Sequence, residues 1–183
     1  MQRKKLKSPA ISHKSIRPAL CVRKTFRWPS FKALLEEVRS EPFARAIGDK
    51  LGINLIGKPS WVTVRKWSAL KDGRPHTDGA DKLASALIYL NHEGGSGGNL
   101  RFLAGPDQDG PGTDEIDPSF GNFIAFPRLA NSWHGHTPYE GERRVVQIAW
   151  LVNEDAVARK AKRHGITEFL KKVFSRTKHD EMI

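Results

Sequence analysis

Residues 74–78 read Arg-Pro-His-Thr-Asp. In an extended chain, residues i and i+2 project to the same side. His76 and Asp78 therefore offer an imidazole and a carboxylate to one point in space. Taken alone the tripeptide is a weak signal, because His-x-Asp arises by chance and an exposed loop is its ordinary setting. Residues 132–150, Ser-Trp-His-Gly-His-Thr-Pro-Tyr-Glu-Gly-Glu-Arg-Arg-Val-Val-Gln-Ile-Ala-Trp, supply the rest. His134 is a second imidazole, and Arg144 follows ten residues later at the start of an apolar strand. Two histidines and one carboxylate on one face of an ion form the donor set of non-haem iron(II) sites, which leaves coordination positions open. A chelating 2-oxo acid and dioxygen fill such positions. A planar guanidinium suits the far carboxylate of that acid, because its fork bonds both oxygens. His136 shares a face with His134 and competes with it as ligand, and Arg143 competes with Arg144. The single cysteine, Cys21, excludes a CxxC metal site and an internal disulfide.

These side chains need strands to hold them. Trp61–Trp67, Ala84–Asn91, Leu100–Leu103, Asn122–Phe126 and Arg144–Val152 are rich in β-branched and aromatic residues, and clusters of Gly, Pro, Asn and Asp separate them. Helices are expected at both ends. Ser30 is placed to cap a helix through residues 31–39 that carries Phe31, Leu34, Leu35 and Val38 on one face. Ser40 is placed to cap a second, with Pro42 in its first turn and Gly52 just past its end. Asn153 is placed to cap a third, and a fourth is expected over 167–174. The pattern predicts a mainly β chain with flanking helices and a jelly-roll core. Residues 1–27 read as a basic N-terminal arm, and 28–183 as a single domain whose jelly-roll core spans about 60–153. At 183 residues the chain has room for one sizeable core.

The stretch from Trp61 to Val152 resembles the prolyl-4-hydroxylase-like group of iron(II)- and 2-oxoglutarate-dependent oxygenases. The matching elements run in order: His76-Thr-Asp78, Ile-Tyr-Leu-Asn at 88–91, Gly-Gly-Asn-Leu at 97–100, Phe-Gly-Asn-Phe-Ile-Ala-Phe at 120–126, then His134, Pro138, Arg144 and Trp150. The joint match is specific where its parts are not. The resemblance implies a double-stranded β-helix, with iron(II) on His76, Asp78 and His134 and with 2-oxoglutarate and dioxygen as co-substrates; ascorbate is a supporting reductant. It implies hydroxylation of an unactivated C–H bond of a peptide residue or small metabolite. In that group a basic residue nine or ten positions after the second histidine binds the far carboxylate. The step to Trp150, read as inward-facing, favours His134 over His136 and Arg144 over Arg143. Tyr89 matches a tyrosine that helps hold the same carboxylate, and Leu100 a residue lining the co-substrate pocket. Trp67 and Trp150 are candidates for the wall of the substrate cavity.

The formal net charge of +11 is unevenly spread. Met1 to Leu35 carries ten Lys or Arg and no acid; Ala156 to Ile183 carries eight basic and three acidic residues. Basic termini suit nucleic acid or simple solvation, and charge blocks discriminate these poorly. An oxidative demethylase acting on nucleic acid and a non-catalytic metal-binding jelly roll are therefore the alternative readings, with a zinc hydrolase on the same ligands as a further rival. No apolar run is long enough to span a membrane, and a cytoplasmic setting is expected. Residues 105–118 hold five acids and no base. If this loop approaches the site, the substrate is expected to be neutral or cationic.

Overall fold

The computed structural model describes residues 28–92, 97–113 and 115–163. The basic arm over 1–27 and the helix expected over 167–174 lie outside these residues. Helix α1 (Pro29–Glu37) begins with Pro at its first turn, where a missing N–H costs nothing. Ser30 lies inside this helix and does not cap it. Helix α2 (Glu41–Leu51) has the expected ends. The Ser40 hydroxyl accepts from Phe43 N at 3.2 Å, and Gly52 takes the left-handed conformation at φ 68°.

Six strands follow: β1 (Ser60–Ser68), β2 (Lys82–Tyr89), β3 (Leu100–Leu103), β4 (Phe123–Pro127), β5 (Trp133–His136) and β6 (Gly141–Leu151). They form a four-stranded antiparallel sheet ordered β1-β6-β2-β4 and a two-stranded sheet of β3 and β5. Isolated bridges widen the smaller sheet: His76 pairs with His134 in β5, and Leu100 in β3 pairs with Ile116. After β6 the Asn153 side chain accepts from Ala156 N at 3.0 Å and starts a helix over 154–163.

The larger sheet has two faces of different character. One is bulky and apolar: Ala84, Ala86, Val146, Ile148 and Trp150 pack on Leu35, Val38, Ala44 and Ile47 of the helices. Phe43 of α2 stacks on Trp150, with ring centroids 6.1 Å apart. The alternate residues Leu87, Tyr89, Phe126 and Val145 meet Leu100, Phe102 and Ile116 of the smaller sheet. Two sheets packed face to face with helices covering one outer side make a jelly-roll core. The space between the sheets does not close completely. A cavity of about 330 Å³ remains there, lined by β1, β2, β6 and by β5 opposite.

Candidate active site

His76 and His134 are brought together by the backbone. Each donates its N–H to the other's carbonyl, at 3.0 and 2.9 Å, so their side chains stand beside one another. Their rings are 4.4 Å apart between centroids. Asp78, two residues further on, turns to the same point. One donor atom from each of His76, Asp78 and His134 lies within 4.8 Å of the other two. Gly135 permits this pairing, since a Cβ there would press on Gly73 O and come within 3.2 Å of Pro75 N.

The tautomers of both histidines suit a metal. His76 Nδ1 bonds the Arg74 carbonyl at 2.9 Å, and His134 Nδ1 bonds the Ser132 carbonyl at 2.9 Å. A carbonyl only accepts, so each Nδ1 carries the proton and each Nε2 presents a lone pair. Burial lowers the pKa of His134 from 6.5 against the opposing pull of Ser132 O and Asp78, which keeps the imidazole neutral. Burial alone would raise the Asp78 pKa. The Lys82 ammonium on its Oδ1 and the Ser85 hydroxyl, 2.5 Å from Oδ2, outweigh burial and bring it below 3.8. Two imidazoles turned by their Nδ1 hydrogen bonds to present Nε2, and an ionised, oriented carboxylate, fit a divalent ion with open positions.

Arg143 forms another wall of the cavity. It is only 4% exposed. Its Nε donates to Gly98 O at 3.0 Å and its Nη2 to the Tyr89 hydroxyl at 2.9 Å. No carboxylate pairs with it among the described residues, and burial lowers its pKa from the ordinary guanidinium value. A buried guanidinium without a counter-ion, at hydrogen-bonding distance from a tyrosine hydroxyl, is a receptor for a carboxylate. Ser68 lines the same cavity, and its buried Oγ has no hydrogen-bond partner among the described residues. These groups suit a 2-oxo dicarboxylic acid chemically. Gly98, at φ 75°, lets the backbone close on Arg143; a Cβ would sit 3.1 Å from its Cδ.

The structure corrects three expectations. Arg144 does not face the cavity: its side chain is 40% exposed and pairs with Glu142 at 2.9 Å. Trp150 does not face it either, for it is buried under α2, and this overturns the alternation that pointed to Arg144. The β6 residues that line the cavity are Arg143, Gln147, Ala149 and, from the edge of the apolar core, Ile148. Third, no acid of 105–118 among the described residues lines the cavity. Glu115 accepts from Asn99, and Arg101 ties the loop down through the carbonyls of Gln108 and Gly110.

His136 also reaches the cavity but stands apart from the three clustered donors. Its Nδ1 bonds Thr137 O at 2.9 Å, and a Cβ on Gly73 would strike its ring. Leu100 lines the cavity wall, and Trp67, 60% exposed, stands at its rim. Sequence reasoning missed Lys82, Ser85, Ser68 and Lys160. None belongs to a motif; strand pairing brings Lys82, Ser85 and Ser68 to the site, and the packing of the helix over 154–163 brings Lys160.

Residues 66–152 match the 2OG-Fe(II) oxygenase superfamily. No curated protein sequence matches the chain. Among solved structures, a prolyl-4-hydroxylase of Pseudomonas putida is similar at 19% identity and a TM-score of 0.51, over 75% of this chain and 72% of that one. A viral collagen prolyl hydroxylase from Paramecium bursaria Chlorella virus-1, solved with 2-oxoglutarate, aligns at 17% identity and a TM-score of 0.45, over 69% of this chain and 74% of that one. No helix among the described residues is long and apolar enough to cross a membrane. The chain carries a 2OG-Fe(II) oxygenase domain on a prolyl-4-hydroxylase-like fold, and it is a 2-oxoglutarate-dependent dioxygenase that uses iron(II) and dioxygen.

Proposed function

We propose that the enzyme hydroxylates an unactivated C–H bond of a small metabolite or peptide residue. In this reading His76, Asp78 and His134 hold the iron, and Arg143 with Tyr89 holds the far carboxylate of 2-oxoglutarate. The observation that carries it is one cavity walled both by the three-donor cluster and by a buried guanidinium with no counter-ion. Bound iron(II) supplies the activation of dioxygen. The overall reaction converts substrate, 2-oxoglutarate and dioxygen into hydroxylated substrate, succinate and carbon dioxide.

The chain's own residues do the positioning. The Arg74 and Ser132 carbonyls fix the two imidazoles, and the Ser85 hydroxyl fixes Asp78. Arg143 is itself held by Gly98 O and Tyr89, so little side-chain entropy is lost when it takes a carboxylate. Leu87, Leu100 and Phe126 line the adjoining wall and restrict water there.

Titrating 2-oxoglutarate into the iron(II) protein without oxygen, followed by the charge-transfer absorption of the chelate, tests the assignment. Arg143→Met is expected to weaken 2-oxoglutarate binding roughly ten- to a hundredfold, the scale of a hydrogen bond to a charged group. Arg144→Met is expected to leave it within about twofold, as befits the loss of an exposed ion pair. The reverse order would refute the Arg143 assignment.

A further inference from the structure

We propose that the substrate carries an oxyanion, a carboxylate or a phosphate monoester, and that Lys160 and Lys82 receive it beside the metal. The inference rests on the oxygenase reading and deepens it.

Its basis is the charge of the cavity wall. Five basic side chains line it: Arg65, Lys71, Lys82, Arg143 and Lys160. Two acids do, Asp72 and Asp78. Asp72 is committed to Arg65, 3.9 Å away, and to Ala69 N at 3.1 Å. Asp78 belongs to the metal cluster. Loading the site does not remove the imbalance. Iron(II) and Arg143 bring three positive charges, and Asp78 and 2-oxoglutarate bring three negative ones. The Arg65–Asp72 pair is neutral. Lys82, Lys160 and the exposed Lys71 remain.

Lys160 is the informative one. It comes from the helix over 154–163, outside the two sheets, and is half-buried with no hydrogen bond or ion pair among the described residues. Burial lowers its pKa from 10.5, and the charge of Lys82 lowers it further, against weaker pulls from Asp81 and Asp78. Lys82 is itself only one-fifth exposed and leans on Asp78 Oδ1. Were Asp78 to ligate a metal, its hold on Lys82 would weaken. Two ammonium groups then share one partly buried wall, with Asp81 and the committed Asp78 only weakly offsetting their charge on Lys160, which favours an incoming anion. A cationic substrate would add to the repulsion. Both ammonium groups line the same cavity, and its volume of about 330 Å³ restricts the guest to a small molecule or a single side chain.

The test uses the full chain loaded with iron(II) and saturating 2-oxoglutarate, with oxygen excluded so that binding is read without turnover. The protein is dialysed to equilibrium against an equimolar mixture of small carboxylates, phosphate monoesters and their neutral amide and cationic amine counterparts. Mass spectrometry then reads what is retained. Carboxylates or phosphate monoesters are expected to be retained at least about tenfold over their neutral and cationic counterparts, and the retained arm identifies the oxyanion. Lys160→Ala is expected to reduce that retention about tenfold and Lys160→Glu to abolish it, as for loss of a charge-assisted hydrogen bond. Equal retention of neutral or cationic compounds, no retention of any anion, or full retention by Lys160→Glu would overturn the inference. So would loss of 2-oxoglutarate binding in Lys160→Ala, for the ammonium would then serve the co-substrate. If the wild-type protein takes up no iron(II) and 2-oxoglutarate at all, the oxygenase reading fails instead.

Discussion

His134 and His136 lie two residues apart on β5, and both are buried. Only His134 meets Asp78, because the backbone exchange with His76 is made at 134 and not at 136. The sequence could present both imidazoles but not that register. His76 and Asp78 were legible because a single residue separates them, and any extended segment puts them on one side. Arg143 was not, because the strand was anchored on Trp150. The better anchor was side-chain size. Val146, Ile148 and Trp150 are bulky and fill a solid core, whereas Gln147 and Ala149 leave room for a cavity. Arg144 also has Glu142 on its own face, a surface pattern. The buried histidines have a consequence for stability. Burial lowers the pKa of both His134 and His136 from 6.5, so the fold favours their neutral forms. The unfolded chain binds protons first as the pH falls, and the stabilisation present above pH 6.5 is lost below it. The melting temperature of the metal-free protein is expected to drop between about pH 7 and 5. His136→Asn is expected to flatten that drop in a thermal-shift series; a profile identical to the wild type would exclude His136 as a contributor.

The strands were read within a few residues of their observed limits except β5, which is four residues long and carries two histidines around a glycine in place of an apolar alternation. Its place in the fold is set by partners far away in sequence: β3 on one side and the 73–76 segment on the other. No local propensity encodes that. The helix caps at Ser40 and Asn153 were legible because a cap is a local hydrogen bond. Two substitutions separate what the elements do. Trp150→Ala removes a fully buried ring between β6 and α2 and is expected to cost about 3–5 kcal/mol in denaturant unfolding. Gly98→Ala forces a side chain onto a positive φ and against Arg143, so it is expected to weaken 2-oxoglutarate binding more than iron(II) binding. Iron(II) and 2-oxoglutarate affinities measured on the same Gly98→Ala sample decide this; an equal loss of both would mean that the glycine supports the fold as a whole.

At the scale of the molecule, the fold sorts charge in a way the composition does not. The acid-rich loop over 105–118 is bound back by Arg101 and Asn99, with none of its described acids on the cavity wall. The cavity instead gathers lysines and arginines from β1, β2, β6, the 68–73 turn and the helix over 154–163. A loop's composition shows its charge but not which way it packs, and so the expectation of a neutral or cationic substrate loses the acidic wall that motivated it. The jelly roll itself places a three-donor cluster and a buried guanidinium around a single cavity, and the proposed chemistry requires the two to act together. The most direct measurement is the fate of isotopically heavy dioxygen in a reaction with iron(II) and 2-oxoglutarate. Succinate carrying one heavy oxygen atom is expected from the wild-type chain and is expected to be lost in His76→Ala, Asp78→Ala and His134→Ala. Unlabelled succinate, or labelled succinate formed equally well by the Asp78→Ala protein, would contradict the proposed chemistry.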